Sequence, residues 1–168
     1  GVDLTGPIER EMLDRLIEAF YSVRLMVFPG QKLSMEAYED FARQWGELYI
    51  ETYDNMAVPG HPAIMEVGNT GGVLETDTYR NGAAFWHTDR AYAADCNAIT
   101  MLYAIHAPAE GGETHFADLV AAYKALDDDT RARIEGVHAT HRYGGGDREE
   151  WEFEVHPMVP GQEEKLPI

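Results

Sequence analysis

The sequence predicts an α+β fold, with helices near its start flanking a β-sandwich or jelly-roll core, and three observations predict it. Helical periodicity is concentrated in the first 46 residues. From residue 98 the apolar side chains Ile99, Met101, Tyr103 and Ile105 recur at every second position, the period of a strand. The chain has 168 residues, 45% hydrophobic and 26% charged, the makeup of one ordinary folded domain.

Taken in order, Pro7 suits the first turn of a helix running to about Phe20, with Leu13, Leu16, Ile17 and Phe20 as its apolar stripe. Leu25, Met26, Val27 and Phe28 read as a short buried strand, stopped by Pro29 and Gly30. Ser34 is placed to cap a second helix, with Leu33 and Tyr38 stapling its start and Gly46 ending it. Tyr38, Phe41, Ala42 and Trp45 share one face of that helix, and core packing accounts for them. Residues 64–67 form a strand candidate, and the Gly-, Asn- and Thr-rich stretch 68–82 a loop. Residues 98–107 are predicted as a long strand with both faces covered. Asp118 caps a helix whose inner side is Leu119, Ala122, Tyr123 and Leu126, and residues 127–130 open another ending near Ile134. Strands are predicted over 137–143 and 151–155, separated by a mobile glycine-rich loop at 144–147.

Charge narrows the partners. Thirteen Lys and Arg against 30 Asp and Glu leave a net −17, which repels phosphate backbones and anionic membranes. An anionic substrate would need a local basic pocket. No apolar run approaches the roughly 18 residues of a membrane-spanning helix. Cys96 is the single cysteine, so an internal disulfide and a cysteine-rich zinc site are excluded, and a cytoplasmic setting fits best. A homo-oligomer is compatible with all of this. The chain opens at Gly1 without an initiator Met, signal peptide or tag, and stops at Ile168 where an apolar pattern is beginning. The single domain 1–168 is therefore expected to be incomplete at both ends.

Seven histidines occur, and most are expected to be structural or solvent-facing. His87 differs in its setting. In Phe85-Trp86-His87-Thr88-Asp89 an imidazole and a carboxylate stand two positions apart, so in an extended segment both point to the same side. Together they are two-thirds of the 2-His-1-carboxylate triad that holds ferrous iron with three positions open. Two of those positions suit a chelating cosubstrate and one suits dioxygen, while Phe85 and Trp86 would wall the site from water. Alone, a His-x-Asp triplet is weak. Downstream, Pro108-Ala109-Glu110-Gly111-Gly112-Glu113-Thr114 reads as a tight turn whose paired glycines let the backbone fold sharply and present the Thr114 hydroxyl. The alternative role for Thr114 is a turn threonine bonding its own backbone.

These features have a family setting. Leu25-Met26-Val27-Phe28-Pro29-Gly30-Gln31, Phe41-Ala42-Arg43-Gln44-Trp45-Gly46-Glu47-Leu48, Trp86-His87-Thr88-Asp89, the turn from Pro108 to Thr114, and Ala121-Ala122-Tyr123-Lys124-Ala125-Leu126 occur in order. Thr114 lies 27 residues after His87. In these motifs and spacings the chain resembles, along essentially its whole length, the taurine dioxygenase-like (TauD/TfdA) family of Fe(II)- and 2-oxoglutarate-dependent dioxygenases.

The resemblance implies a double-stranded β-helix, with His87 and Asp89 as iron ligands and Thr114 bonding the distal carboxylate of 2-oxoglutarate. Fe(2+) is the implied cofactor, with 2-oxoglutarate and O2 as cosubstrates. The implied reaction hydroxylates a small molecule and releases succinate and CO2. Asp89, in place of an Ala or Gly, argues against a halogenase. The family's third ligand, a distal His, and its 2-oxoglutarate-clamping Arg are expected beyond residue 168, and His156 is not the ligand position. Ala83 replaces an Asn that taurine dioxygenases carry four residues before the first iron His, which argues against taurine. Tyr79, Asn81 and Arg90 are the substrate-binding candidates, an Arg there being able to grip a carboxylate or sulfonate bidentately. A second possible rim is the 53–58 loop with His61 behind it. The expected substrate is small, organic and partly anionic. The alternatives are a non-catalytic jelly-roll binding protein of the same descent and a zinc hydrolase on a related barrel.

Overall fold

A computed structural model describes residues 1–50, 57–67, 86–139 and 141. Within them the protein is a mixed α and β structure of four helices and one two-stranded sheet: α1 (Arg10–Val23), α2 (Met35–Trp45), β1 (Ala57–Val58), β2 (His61–Met65), α3 (Leu119–Lys124) and α4 (Asp128–Ile134). The predicted features at 53–56, 68–85 and 151–155, the loop at 144–147 and His156 lie outside the described residues, as do positions 140, 142 and 143 of the predicted 137–143 strand, while 137–139 and 141 are not in a strand.

The two long helices form for the reasons their sequences suggest. Each has one apolar stripe, and the stripes face each other: Leu13 and Leu16 of α1 and Phe41 of α2 are buried, joined by Leu4 from the leading segment. Aromatic rings fill the seam. Trp45 lies edge-on to Phe20 and to Phe41, each at 6.0 Å, and Phe28 lies edge-on to Phe41 at 5.9 Å. Ser34 caps α2 as predicted, its hydroxyl accepting from the Ala37 N–H at 3.2 Å. Two glutamines tie down the leading segment. Gln31 accepts from the Leu4 N–H and donates to the Val2 carbonyl, and Gln44 accepts from the Ile8 N–H at 2.7 Å.

The start of α1 is a correction. The helix begins at Arg10 and not at Pro7: its first bond runs from Leu13 N–H to the Glu9 carbonyl, and the Ile8 N–H in the lead-in is met by the Gln44 side chain. At the far end Arg24 adopts a left-handed φ of 63° and closes the helix by donating its N–H to Phe20. Its guanidinium then pairs with both oxygens of Asp118, which is also the N-cap of α3. One residue pair thus ties the end of α1 to the start of α3 across 94 positions of sequence.

Two predicted strands are not strands among the described residues. Residues 25–28 are not the buried strand predicted: Phe28 is turned onto Phe41 but Leu25 and Val27 are exposed, and no described segment pairs with their backbone. Residues 98–107 likewise have no ladder. Ile99, Met101 and Tyr103 are half-buried, whereas Leu102 and Ile105 are each 65% exposed, so the second face is uncovered and the alternation ends at Tyr103. The segment is held by side chains instead: Tyr38 donates its hydroxyl to the Met101 carbonyl at 2.8 Å, and the Tyr103 hydroxyl accepts from the Leu33 N–H at 2.8 Å. The rings of Tyr38 and Tyr103 lie 5.5 Å apart. Periodicity in the sequence reports which way side chains face; a strand also needs a partner, which periodicity does not supply.

The strand expected at 64–67 runs earlier, from His61 to Met65, and pairs antiparallel with β1 around a Pro59–Gly60 turn, with a bulge between Ala57 and Val58. The two short late helices start where predicted, one at the predicted Asp118 cap and the other within 127–130, where Asp127 is the cap. The predicted inner side of α3 is not buried, however, with Leu119 67% exposed.

Candidate metal centre

Residues 86–88 belong to neither helix nor strand, and the chain turns at Asp89 and Arg90. The two side chains nevertheless meet: Nε2 of His87 lies 3.3 Å from Oδ1 of Asp89. Both side chains remain reachable, at 41% and 45% exposed. The donor set suits a first-row divalent metal, an imidazole nitrogen beside a carboxylate oxygen. Distances agree as well. Metal–ligand bonds of about 2.1 Å set at a right angle separate their donor atoms by about 3 Å, close to the gap seen. Among the described residues, no group of three His, Cys, Asp or Glu is gathered that could hold a metal ion.

The other carboxylate oxygen is also engaged. Thr100 donates its hydroxyl hydrogen to Oδ2 of Asp89 at 2.9 Å. Beyond Asp89 the backbone passes through Arg90 at a left-handed φ of 54°, and the turn is closed by Ala91 N–H to Thr88 and Ala93 N–H to Arg90. Arg90 holds that turn from its side chain. Its guanidinium stacks on the ring of Tyr49 at 3.4 Å, donates to the carbonyl and a carboxylate oxygen of Asp95, and donates to Asn97. The side chain is only 10% exposed, and its Nε is buried without a hydrogen-bond partner among the described residues. A bidentate grip on a substrate carboxylate would therefore require Asp95 and Asn97 to be released.

Of the residues predicted for the site, His87 and Asp89 meet, and Arg90 is sequence-adjacent but turned onto Tyr49. Thr114 follows the turn as predicted: Gly111 and Gly112 both have φ of 76°, a region where glycine carries no Cβ penalty. Thr114 is exposed, and among the described residues no hydrogen bond links it to His87 or Asp89. Tyr79, Asn81 and Phe85 lie outside the described residues, and Trp86 is 73% exposed. Two contributors escaped the sequence reading. Thr100 is a hydroxyl in an otherwise mainly apolar alternating run, a signal that was there to be noticed. Tyr49 carries no such signal.

His61, placed by the sequence behind a substrate rim, sits in β2 against α2. Its Nδ1 lies 2.6 Å from Oε2 of Glu39 and its Nε2 lies 3.6 Å from Glu36. Arg43 pairs with the other oxygen of Glu39. The hydrogen bond from His61 holds the Glu39 carboxyl below the usual glutamate range against the opposing effect of burial, with a lesser contribution from Arg43.

Comparison with known proteins completes the picture. The family described as "Taurine catabolism dioxygenase TauD, TfdA family" matches residues 1–165. The chain is 29% identical over 170 residues to the alpha-ketoglutarate-dependent 2,4-dichlorophenoxyacetate dioxygenase of Cupriavidus pinatubonensis, covering 92% of this chain and 58% of that protein. It is 36% identical over 147 residues to the (S)-phenoxypropionate/alpha-ketoglutarate-dioxygenase of Sphingobium herbicidovorans, covering 84% and 48%. It is 29% identical over 170 residues to pentalenolactone F synthase of Streptomyces avermitilis, covering 96% and 55%. The chain thus spans about half the length of the relatives it matches. No solved structure matches it significantly.

Proposed function

Because the chain belongs to the TauD/TfdA family of dioxygenases, we propose that it is, or is part of, an Fe(II)- and 2-oxoglutarate-dependent oxygenase. The observation that carries this is the convergence of His87 Nε2 and Asp89 Oδ1 at 3.3 Å on an accessible turn. The proposed architecture is a single jelly-roll domain of the double-stranded β-helix kind, to which residues 1–168 belong, acting in the cytoplasm and without a nucleic-acid partner.

When bound, ferrous iron supplies the coupling of dioxygen reduction to 2-oxoglutarate decarboxylation, so that one oxygen atom enters the substrate and the other enters succinate, with release of CO2. The chain's own residues have simpler tasks. His87 and Asp89 hold the metal by nitrogen and oxygen and leave positions open for the two cosubstrates. Thr114 donates a hydrogen bond to the distal carboxylate of 2-oxoglutarate. Tyr79, Asn81 and Arg90 border the substrate, Arg90 being able to grip it once Asp95 and Asn97 let go.

A small, partly anionic organic substrate, hydroxylated by the enzyme, is favoured on two grounds. Two of the relatives carry the names of phenoxyacetate and phenoxypropionate compounds, which are carboxylates. Against a net charge of −17, Arg90 beside the metal-ligand motif is a cation that an anion could engage if Asp95 and Asn97 release it.

The test is anaerobic addition of ferrous iron and 2-oxoglutarate to the protein, monitored in the visible. A weak charge-transfer band is expected, because the chelated keto acid produces it, and His87→Ala is expected to abolish both the band and succinate release. A protein that binds small molecules without band or succinate would instead be a non-catalytic relative. Activity that survives iron removal and zinc loading would indicate a hydrolase.

A further inference from the structure

We propose that Thr100 is a positioning residue for the metal-binding carboxylate: its hydroxyl, bonded to Oδ2 of Asp89 at 2.9 Å, turns Oδ1 towards His87 and keeps the second oxygen off the metal. The inference rests on the reading of His87 and Asp89 as ligands.

An aspartate carboxylate rotates easily about its last torsion, and Asp89 is too exposed for packing to fix it. Left alone, it could bind an ion through one oxygen or through both. The difference matters in a site whose chemistry depends on three open positions, because a bidentate carboxylate would occupy one of them. A hydrogen bond to Oδ2 selects the one-oxygen mode before the metal arrives.

The donor is itself held. The Met101 carbonyl accepts from Tyr38, and Tyr103 accepts from Leu33 and lies against the Tyr38 ring. The segment carrying Thr100 is therefore docked on α2. On the other side, Arg90 anchors the turn that carries Asp89 to Tyr49, Asp95 and Asn97. The hydroxyl and the carboxylate are thus brought together by two separately anchored pieces of chain, the arrangement by which an outer hydrogen bond orients a metal ligand.

The test is anaerobic titration of the full chain with Co(II) alone, read by its visible d–d absorption, alongside the melting temperature of the metal-free protein. Thr100→Val is expected to weaken Co(II) binding about 10–100-fold and alter the d–d spectrum while leaving the metal-free melting temperature unchanged. Thr100→Ser, which keeps the hydroxyl, is expected to restore both, and Thr100→Ala to behave as the valine variant. Equal Co(II) affinity and spectrum in wild type and in the valine or alanine variant would overturn the proposal. So would equal weakening in the serine and valine variants with a lowered metal-free melting temperature, which would make Thr100 a packing residue. If wild type and His87→Ala bind Co(II) alike, the ligand assignment itself fails, a result distinct from any difference among the Thr100 variants.

Discussion

At Gly112 the backbone has φ of 76°, and an added Cβ would lie 3.0 Å from Cγ of Pro108. Gly112→Ala is therefore opposed by both the left-handed conformation and the proline ring. It should lower stability by about 1–2 kcal/mol, measured by urea unfolding. The matching substitution at Gly111 meets open space and carries only the conformational cost, so it should be the milder of the two. Thr114, two positions on, is where the turn's purpose can be read. Thr114→Val should raise the 2-oxoglutarate requirement by the worth of one hydrogen bond to a charged group, about 1.5–3 kcal/mol. An unchanged requirement would leave Thr114 as a turn residue only. Residues of this kind differ in how far sequence reveals them. The His87–Asp89 pairing was legible because the two residues stand two positions apart in one short motif. The engagement of Arg90 was not, because its partner Tyr49 lies 41 positions earlier in sequence and no local rule connects them.

Helix starts with a side-chain cap were the most legible elements, unlike the uncapped start of α1, since a cap is a local bond between a side chain and an N–H two or three residues on. Ser34, Asp118 and Asp127 all accept such bonds. Ser34→Ala should cost about 1 kcal/mol in chemical denaturation, with Ser34→Asp recovering most of it. Residues 25–28 and 98–107 were less legible for the opposite reason: strand pairing is decided by residues far away, and the pattern shows only facing. The contact between β2 and α2 adds a pH dependence. The Glu39 carboxyl, which faces His61 from β2 and Arg43 on its own helix, is held below the usual glutamate range. The folded protein thus binds fewer protons there than the unfolded chain, so the contribution is present above the ordinary glutamate value and is lost as pH falls through the lowered one. Stability profiles of wild type and Glu39→Gln should accordingly converge at acid pH and separate above it. Parallel profiles would remove Glu39 from the acid response.

At the scale of the whole molecule, composition and the order of helical and alternating patterns indicated a mixed α and β domain, and the described helices and hairpin have that character. A jelly roll is built from pairings between distant strands, and the hairpin β1–β2 is the one sheet among the described residues, so that level of organisation rests on family membership. Metal binding offers a measurement that addresses the whole chain at once. An ion held by the folded site and not by the unfolded chain stabilises the fold by mass action, about 2.7 kcal/mol when its concentration is a hundred times its dissociation constant. In a domain of this size that corresponds to a rise in melting temperature of about 5–10 °C. Saturating Co(II) should therefore raise the melting temperature of the wild type by that order, EDTA should reverse it, and His87→Ala should show none of it. His87 and Asp89 are both substantially exposed, so their contact itself adds little to the metal-free fold. A rise that persists in His87→Ala would place the ion elsewhere, and the side chains left to hold it would then have to be sought away from the turn at Asp89.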